Sequence, residues 1–513
     1  MTTPDPAAPA AVAAGHRLHP MSWLFELIAQ LRQFLVPLLA LVVFGQGDRS
    51  ELWPLAGLAV LVAASLWRYF AFRYQPEADQ LVLRTGLLSR NVRVVPYGRI
   101  HNVAVDQTLL HRLFDVASVR LESAGGKKPE AEMRVLRLDQ ALALEDLIRH
   151  RGATAPGSGT GQPSVADAAA NRDRPEGAAA SRTVLHHLPA GELLRLGIIS
   201  NRGMVLVAAA FALVGQSGEN AARIFEALGR WLFGWVDTSG FDTAQWVVAG
   251  TTLLLAALLG VRLLSVLLAL LQFHGFTLAE YGRRLTVERG LLARWRTSSP
   301  RRRIQAWRMQ EGVIHRLLDR RTLKVDIATG GGQEDARSLR ELVPVGTPEQ
   351  CRALVAHLLP GSGWDRMEWM PFRPATWWRL FWPSLPLVAV ATTVLCWRFG
   401  APGLLAALWL PWAAFKARRQ AARMGWAFNG RLAAFRTGWW SRHWYWAELD
   451  KLQALRVSRN PVDRRLGTAT LVLDTAGAGA LGPPLRIPFL PLRRALALQH
   501  RLAGELARRP LRW

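Results

Sequence analysis

The chain has 513 residues, half of them hydrophobic, and carries 64 Lys plus Arg against 38 Asp plus Glu, a formal net charge of +26. This length exceeds one ordinary domain, and high apolar content joined to strong positive charge argues against a single soluble core. The two cysteines, Cys351 and Cys396, form neither a CxxC nor a metal-ligand spacing, which excludes a disulfide framework.

A basic chain is drawn to nucleic acid or to the anionic inner leaflet of a membrane. The apolar runs decide for the membrane, so membrane lipids are the expected partners and nucleic acid is not. Many of the 22 Trp flank those runs, including Trp67, Trp246, Trp382, Trp397 and Trp412, as the amphipathic indole does at a membrane boundary.

In chain order, residues 1–20 are rich in Ala, Pro and His without an apolar stretch, which predicts a disordered tail and no cleavable signal. A first transmembrane hairpin is expected over 21–74 from apolar runs at 34–45 and 52–67, followed by a polar domain over 75–151. Residues 152–183, rich in Ala, Gly, Pro and Ser, read as a flexible linker. The second hairpin, 184–273, has runs at 203–215 and 246–271, and its domain covers 274–360. The third, 361–418, has runs at 381–399 and 402–415, and its domain covers 419–513.

Positive charge gathers outside the pairs, as at Arg68, Arg73, Arg283, Arg284, Lys416 and Arg418, and is outweighed by acids in the loops within the first two pairs. Six helices with both termini and all three polar domains in the cytoplasm follow from that asymmetry. Residues 221–235 show helical spacing, either as an amphipathic surface helix or as an external packing helix. Arg262 lies inside the fourth run, where a charge is either functional or snorkels to the interface.

After each hairpin one pattern returns: LVLRTGLLSR, LTVERGLLAR and AAFRTGWWSR, centred on Gly86, Gly290 and Gly438. The first basic anchor of each copy, Arg99, Arg303 or Lys451, follows its glycine by thirteen residues, and the second, Arg112, Arg316 or Arg464, follows by thirteen more. Alternation such as Val119 and Leu121 against Arg120 and Glu122 marks strands, the recurrent Gly permits a positive φ, and each copy ends in a helix (139–149, 347–359, 492–507). Several strands closed by one helix describe three small, half-open barrels, a membrane α-helical plus α+β architecture.

The first copy carries VPYGRIHNV (95–103) and QTLLHRLF (107–114), and with its hairpin it resembles the bacterial PH-like membrane protein family, in which a transmembrane hairpin precedes a pleckstrin-homology domain. The third copy lacks the Val-Pro and has Asp463 where the others have His111 and His315. The resemblance implies PH-like folds, no catalytic residues and no cofactor. It fits a non-enzymatic scaffold or binding platform for lipid headgroups, another PH-like membrane protein or further copies of itself; a transporter or a lipid-modifying enzyme is the alternative.

The six aligned basic residues are the binding candidates, either meeting lipid phosphates or capping strands and pairing with carboxylates such as Asp106 and Asp115. Recurrence within a repeat reports shared fold before shared ligand. No metal site is expected at the paired histidines, which lack a second ligand at fixed spacing. The glycines at 125–126 and 330–332 do not complete a phosphate loop and read as hairpin turns.

Overall fold

The computed structural model describes residues 72–77, 80–85, 91–97, 100–123, 131–154, 182–215, 242–327, 339–475 and 485–508, with short pieces before residue 72 and at 223 and 230. The expected tail apart from its end, the first hairpin's runs, the linker, the 221–235 helix, both glycine loops, Gly86 and Arg99 lie outside or mostly outside the described residues.

The first repeat contains β1 (His16–Arg17), β2 (Arg73–Pro76), β3 (Gln80–Thr85), β4 (Asn91–Pro96), β5 (Ile100–Gln107), α1 (Leu109–Leu113), β6 (Val116–Ser123), β7 (Ala131–Arg137) and α2 (Leu138–Thr154). The second contains β8 (Arg182–His187), α3 (Ala190–Ile199), α4 (Arg202–Gly215), α5 (Thr243–Phe273), β9 (Thr277–Tyr281), β10 (Arg284–Arg289), β11 (Arg294–Pro300), β12 (Ile304–Glu311), α6 (Val313–Leu317), β13 (Arg321–Ile327), β14 (Glu341–Gly346) and α7 (Pro348–Leu358). The third contains β15 (Met370–Pro371), α8 (Thr376–Phe381), α9 (Ser384–Phe399), a 3-10 segment (Ala401–Leu408), α10 (Trp409–Arg423), β16 (Gly425–Phe428), β17 (Leu432–Thr437), β18 (Arg442–Glu448), β19 (Leu452–Ser458), α11 (Pro461–Leu466), β20 (Thr468–Thr475), β21 (Leu485–Pro491) and α12 (Leu492–Arg508).

The expected strand pattern and closing helices are present, and α7 starts at Thr347, whose Oγ1 accepts from Gln350 N at 3.2 Å while Gln350 Oε1 accepts from Thr347 N at 3.0 Å. A strand that precedes each hairpin was not legible: β1, β8 and β15 pair antiparallel with the first strand after it. The recurrent glycine takes a positive φ, 113° at Gly290 and 89° at Gly438. A Cβ on Gly438 would fall 1.8 Å from Ser441 O, so only glycine makes this turn.

No sheet closes on itself among the described residues, so the β-rich domains are sheets with helices and not closed barrels there. The described chain forms two compact units, and the first takes Met1–Ser181 together with Ala293–Ser299. In that unit β5 pairs with β6 on one side and with β11, from the second copy of the sequence repeat, on the other. In the second unit β12 pairs with β13 and with β18 of the third repeat, giving the order β14-β13-β12-β18-β17-β16-β15. The fourth strand of a repeat thus turns away from its own third strand, through a single 3-10 turn such as Arg301–Arg303, and meets the third strand of the next copy. An edge strand leaves a row of amides and carbonyls unpaired, and this exchange satisfies them.

The two junctions share one register. In the first, Gln107 faces Arg294 and Val103 faces Ser298. In the second, Glu311 faces Arg442 and Trp307 faces Trp446, the same positions counted from the aligned anchors. Trp307 and Trp446 are 2% and 0% exposed and stack in parallel 6.1 Å apart, inside one core that draws residues from both repeats.

Among the described residues, two helices are long and apolar enough to cross a membrane, Val247–Phe273 and Thr376–Phe399. A third crossing exists if α3 and α4, bent by 46°, count as one. Arg262 on α5 closes that bend: its Nη1 donates to Ile198 O and Ser200 O at 3.3 Å and to Asn201 Oδ1 at 3.2 Å. The charge therefore serves the carbonyls that a broken helix leaves without partners.

Candidate functional site

The second basic anchor of each repeat follows the first by thirteen positions, and the fourth strand between them has eight residues in the first two repeats and seven in the third. At about 3.3 Å per residue, such a strand sends its ends roughly 25 Å apart. Among the described members of the aligned set, Arg303 and Lys451 therefore stand before their fourth strand, and Arg112, Arg316 and Arg464 stand beyond the opposite end of theirs.

One end adjoins the membrane helices. Gly290 N and Leu291 N donate to His274 O and Leu271 O at the end of α5. In the third repeat Trp439 and Trp440 pack on Trp412 and Phe415 of α10. The pair of large apolar residues after each described glycine is thus held against a helix of the preceding hairpin, the end of α5 in the second repeat and α10 in the third. Leu291, Leu292 and Trp440 are 37%, 41% and 53% exposed.

Around this end in the second unit lies a guanidinium cluster. Arg316 Nη2 donates to Trp440 O at 3.0 Å, and Arg442 and Arg321 both reach Glu311, at 3.0 and 2.9 Å. Arg436 lies over the Trp369 ring at 4.9 Å. Burial pushes the Arg423 guanidinium below its ordinary value, and the charges of Arg442, Arg436 and Arg316 add to that while Glu311 opposes it. Burial also lowers Arg436. Nε of Arg316, Arg436 and Arg442 is buried without a hydrogen-bond partner among the described residues. Several guanidinium groups around one carboxylate suit a polyoxygen anion such as a phosphate.

Only Arg316 of this cluster belongs to the aligned set. Arg436 and Arg442 bracket Gly438 in the AAFRTGWWSR stretch, which was the available signal; Arg423 gave none. Arg112 and Arg464, on α1 and α11, are exposed.

Arg303 and Lys451 stand at the far end, in the turns after β11 and β18. Lys451 Nζ donates to Arg302 O at 2.5 Å and lines a cleft of about 840 Å³ with Arg283, Arg301, Arg302 and Arg431, over Trp307. Arg301 Nε donates to Leu358 O at 2.8 Å and Arg431 Nη1 to Pro360 O at 2.7 Å, so these cations finish helix α7 and the loop behind it.

The paired histidines have structural work. The His111 ring lies 4.3 Å from Phe25, and His315 Nε2 meets Thr322 Oγ1 at 3.1 Å, its pKa lowered by burial to about 4. In the third repeat Asp463 accepts from Arg379 at 2.7 Å and from Thr468 at 2.8 Å. Glu192 accepts from Arg320 in the second. In each repeat the start of the hairpin is tied to the short helix or its following turn: by Phe25 on His111, by Glu192 to Arg320, and by Arg379 to Asp463. Asp115, the carboxylate suggested as an ion partner, instead takes φ 51° in the turn after α1, as do Asp319 (49°) and Gly467 (64°) at the matching positions. Among the described residues no three His, Cys, Asp or Glu side chains gather as a metal site.

A family model described as "Bacterial PH domain" matches residues 25–152, 228–359 and 383–506. The UPF0699 transmembrane protein YdbT of Bacillus subtilis (strain 168) is 23% identical over 329 residues, 62% of this chain and 64% of the relative's length. The chain thus spans less than two thirds of the relative it matches. No solved structure matches it.

Proposed function

The chain belongs to the bacterial PH domain family, and from that premise we propose that it is a multi-pass inner-membrane protein whose three cytoplasmic PH-like domains act together as a non-enzymatic platform for anionic lipid headgroups. The observation that carries this reading is the guanidinium cluster of Arg316, Arg423, Arg436 and Arg442 with Glu311, gathered at the C-terminal end of α10. That level is where the phosphates of a leaflet lie, and the inner leaflet adds a negative surface potential. The excess of Arg flanking the hairpins supports the cytoplasmic orientation. The far cleft, whose cations already serve backbone carbonyls, has less to offer a ligand.

Purified protein in mild detergent should retain phosphatidylglycerol over phosphatidylethanolamine in native mass spectrometry. The Arg436→Gln/Arg442→Gln double variant should lose that preference by about a hundredfold or more, since charge-assisted contacts contribute about 1.5–3 kcal/mol apiece when made. Equal retention of the two lipids by the unaltered protein would contradict the headgroup assignment.

A further inference from the structure

Two internal junctions use the fourth strand of one repeat and the third strand of the next, which leaves one strand of each kind over. The third strand of the first repeat, β4, ends its sheet in the order β1-β2-β3-β4, and the fourth strand of the third repeat, β19, ends the order β19-β20-β21. These two edges are of the types that join at β5–β11 and β12–β18. We propose that β19 of one chain pairs antiparallel with β4 of a second copy, so that the array continues head to tail from molecule to molecule.

The register is fixed by the two junctions already seen. Counting from the aligned anchors, the pair Val103–Ser298 and the pair Trp307–Trp446 become Leu455–Val94, and Val457 falls opposite Val92. Val92 and Val94 are 55% and 47% exposed on β4, whereas Ser298 and Trp446, which hold the place of Val94 in the later repeats, are 2% and 0% exposed. Leu455 and Val457 are only partly covered by the core of their own repeat. Two apolar pairs would thus meet on one face of the new ladder, as cross-strand pairs do.

Pro96, which lacks a donor, does not bar the pairing: Pro300 holds its place at the end of β11, a strand that does pair. Arg93 falls opposite Arg456, an unfavourable like-charge pair. Asp474 stands where Asp326 accepts Arg308 at the second junction, and so moderates it. Because the two edges differ, the contact is heterologous and closes into a ring or runs on as a row. This deepens the platform reading by naming a second copy as partner and rests on its arrayed domains, while requiring no lipid site.

The test mixes two full-length chains in one membrane, one with Val94→Cys and the other with Leu455→Cys. Both carry Cys396→Ser; Cys351 is kept, since it is buried and its thiol pushed up to about 12 by that burial. A short bismaleimide should give a product of twice the chain mass, at least tenfold above membranes holding either chain alone. Ala454→Cys, exposed on the opposite face of β19, should give none in place of Leu455→Cys. Arg93→Glu in the first chain should raise the yield several-fold by meeting Arg456. Native mass spectrometry of the unaltered chain should show dimers or larger species.

No mixed product above the controls, equal linkage through Ala454→Cys, linkage confined within one chain carrying both cysteines, or unaltered protein that is wholly monomeric would overturn the proposal. Retention of phosphatidylglycerol in the same preparations reads the platform separately, so loss of one result leaves the other standing.

Discussion

Trp446→Ala is expected to cost about 3–5 kcal/mol, the range for deleting a buried aromatic and leaving a cavity. The indole is fully buried, faces Trp307 across the β12–β18 junction and stacks on Trp364 at 3.9 Å. No element of the third repeat alone can refill that space, because the core around it draws on both repeats. Trp446→Phe makes the contrast. Nε1 of Trp446 is buried without a hydrogen-bond partner among the described residues, so phenylalanine removes an unsatisfied donor while keeping a ring in the stack. Its cost should stay below about 1.5 kcal/mol. Thermal unfolding in detergent reads both: a fall on the order of 10 °C for the Ala variant and a few degrees for the Phe variant. Equal, small shifts would place Trp446 outside a shared core.

Arg379→Ala should cost a similar amount, roughly 3–5 kcal/mol, by leaving the Asp463 carboxylate buried without its cation. The side chains are 11% and 4% exposed at 2.7 Å separation, and they join the segment entering the third hairpin to the short helix of the third domain. Burial alone would raise the Asp463 carboxyl, but hydrogen bonds from Arg379, Asn460 N and Thr468 bring it below the ordinary carboxylate value. A depressed folded-state pKa means stability that is complete above the unfolded value, near 3.9, and is lost as pH falls through the folded one. The gap between the two proteins should therefore be widest near neutral pH and close below about pH 4. A gap that does not change with pH would mean that the loss is one of packing rather than charge.

The repeat was legible because its anchors obey local rules. Gly290 and Gly438 stand where only a positive φ makes the turn, Asp115, Asp319 and Gly467 recur at one left-handed position, and Thr347 caps its helix with its own neighbours. Such constraints act over a few residues and leave a mark at a fixed spacing. The joining of sheets is different in kind, since an amide on β12 has no sequence signature for choosing β18 over β11. Both are antiparallel strands, and β18, with Trp444, Tyr445 and Trp446 where β11 has Arg296, Thr297 and Ser298, brings the core that encloses Trp307. The guanidinium cluster was hidden for the same reason: Arg316, Arg423, Arg436 and Arg442 come from four elements. Arg262 looked like a charge without a partner because its acceptors are backbone carbonyls exposed by a helix break, and carbonyls carry no sequence identity. Asp463, read as evidence against a shared acid-base role, proves to be one of several ways of tying a hairpin to its domain.

Strands of one repeat pair with strands of the next at a fixed register. Gln310 and His443 face each other across β12 and β18, both partly exposed. In a chain with Cys396→Ser, the Gln310→Cys/His443→Cys pair should be linked by a short bismaleimide within single molecules, and peptide mapping by mass spectrometry should return residues 310 and 443 joined. If both thiols react with the reagent yet no joined peptide is recovered, the repeats fold as separate domains and the shared sheet is wrong.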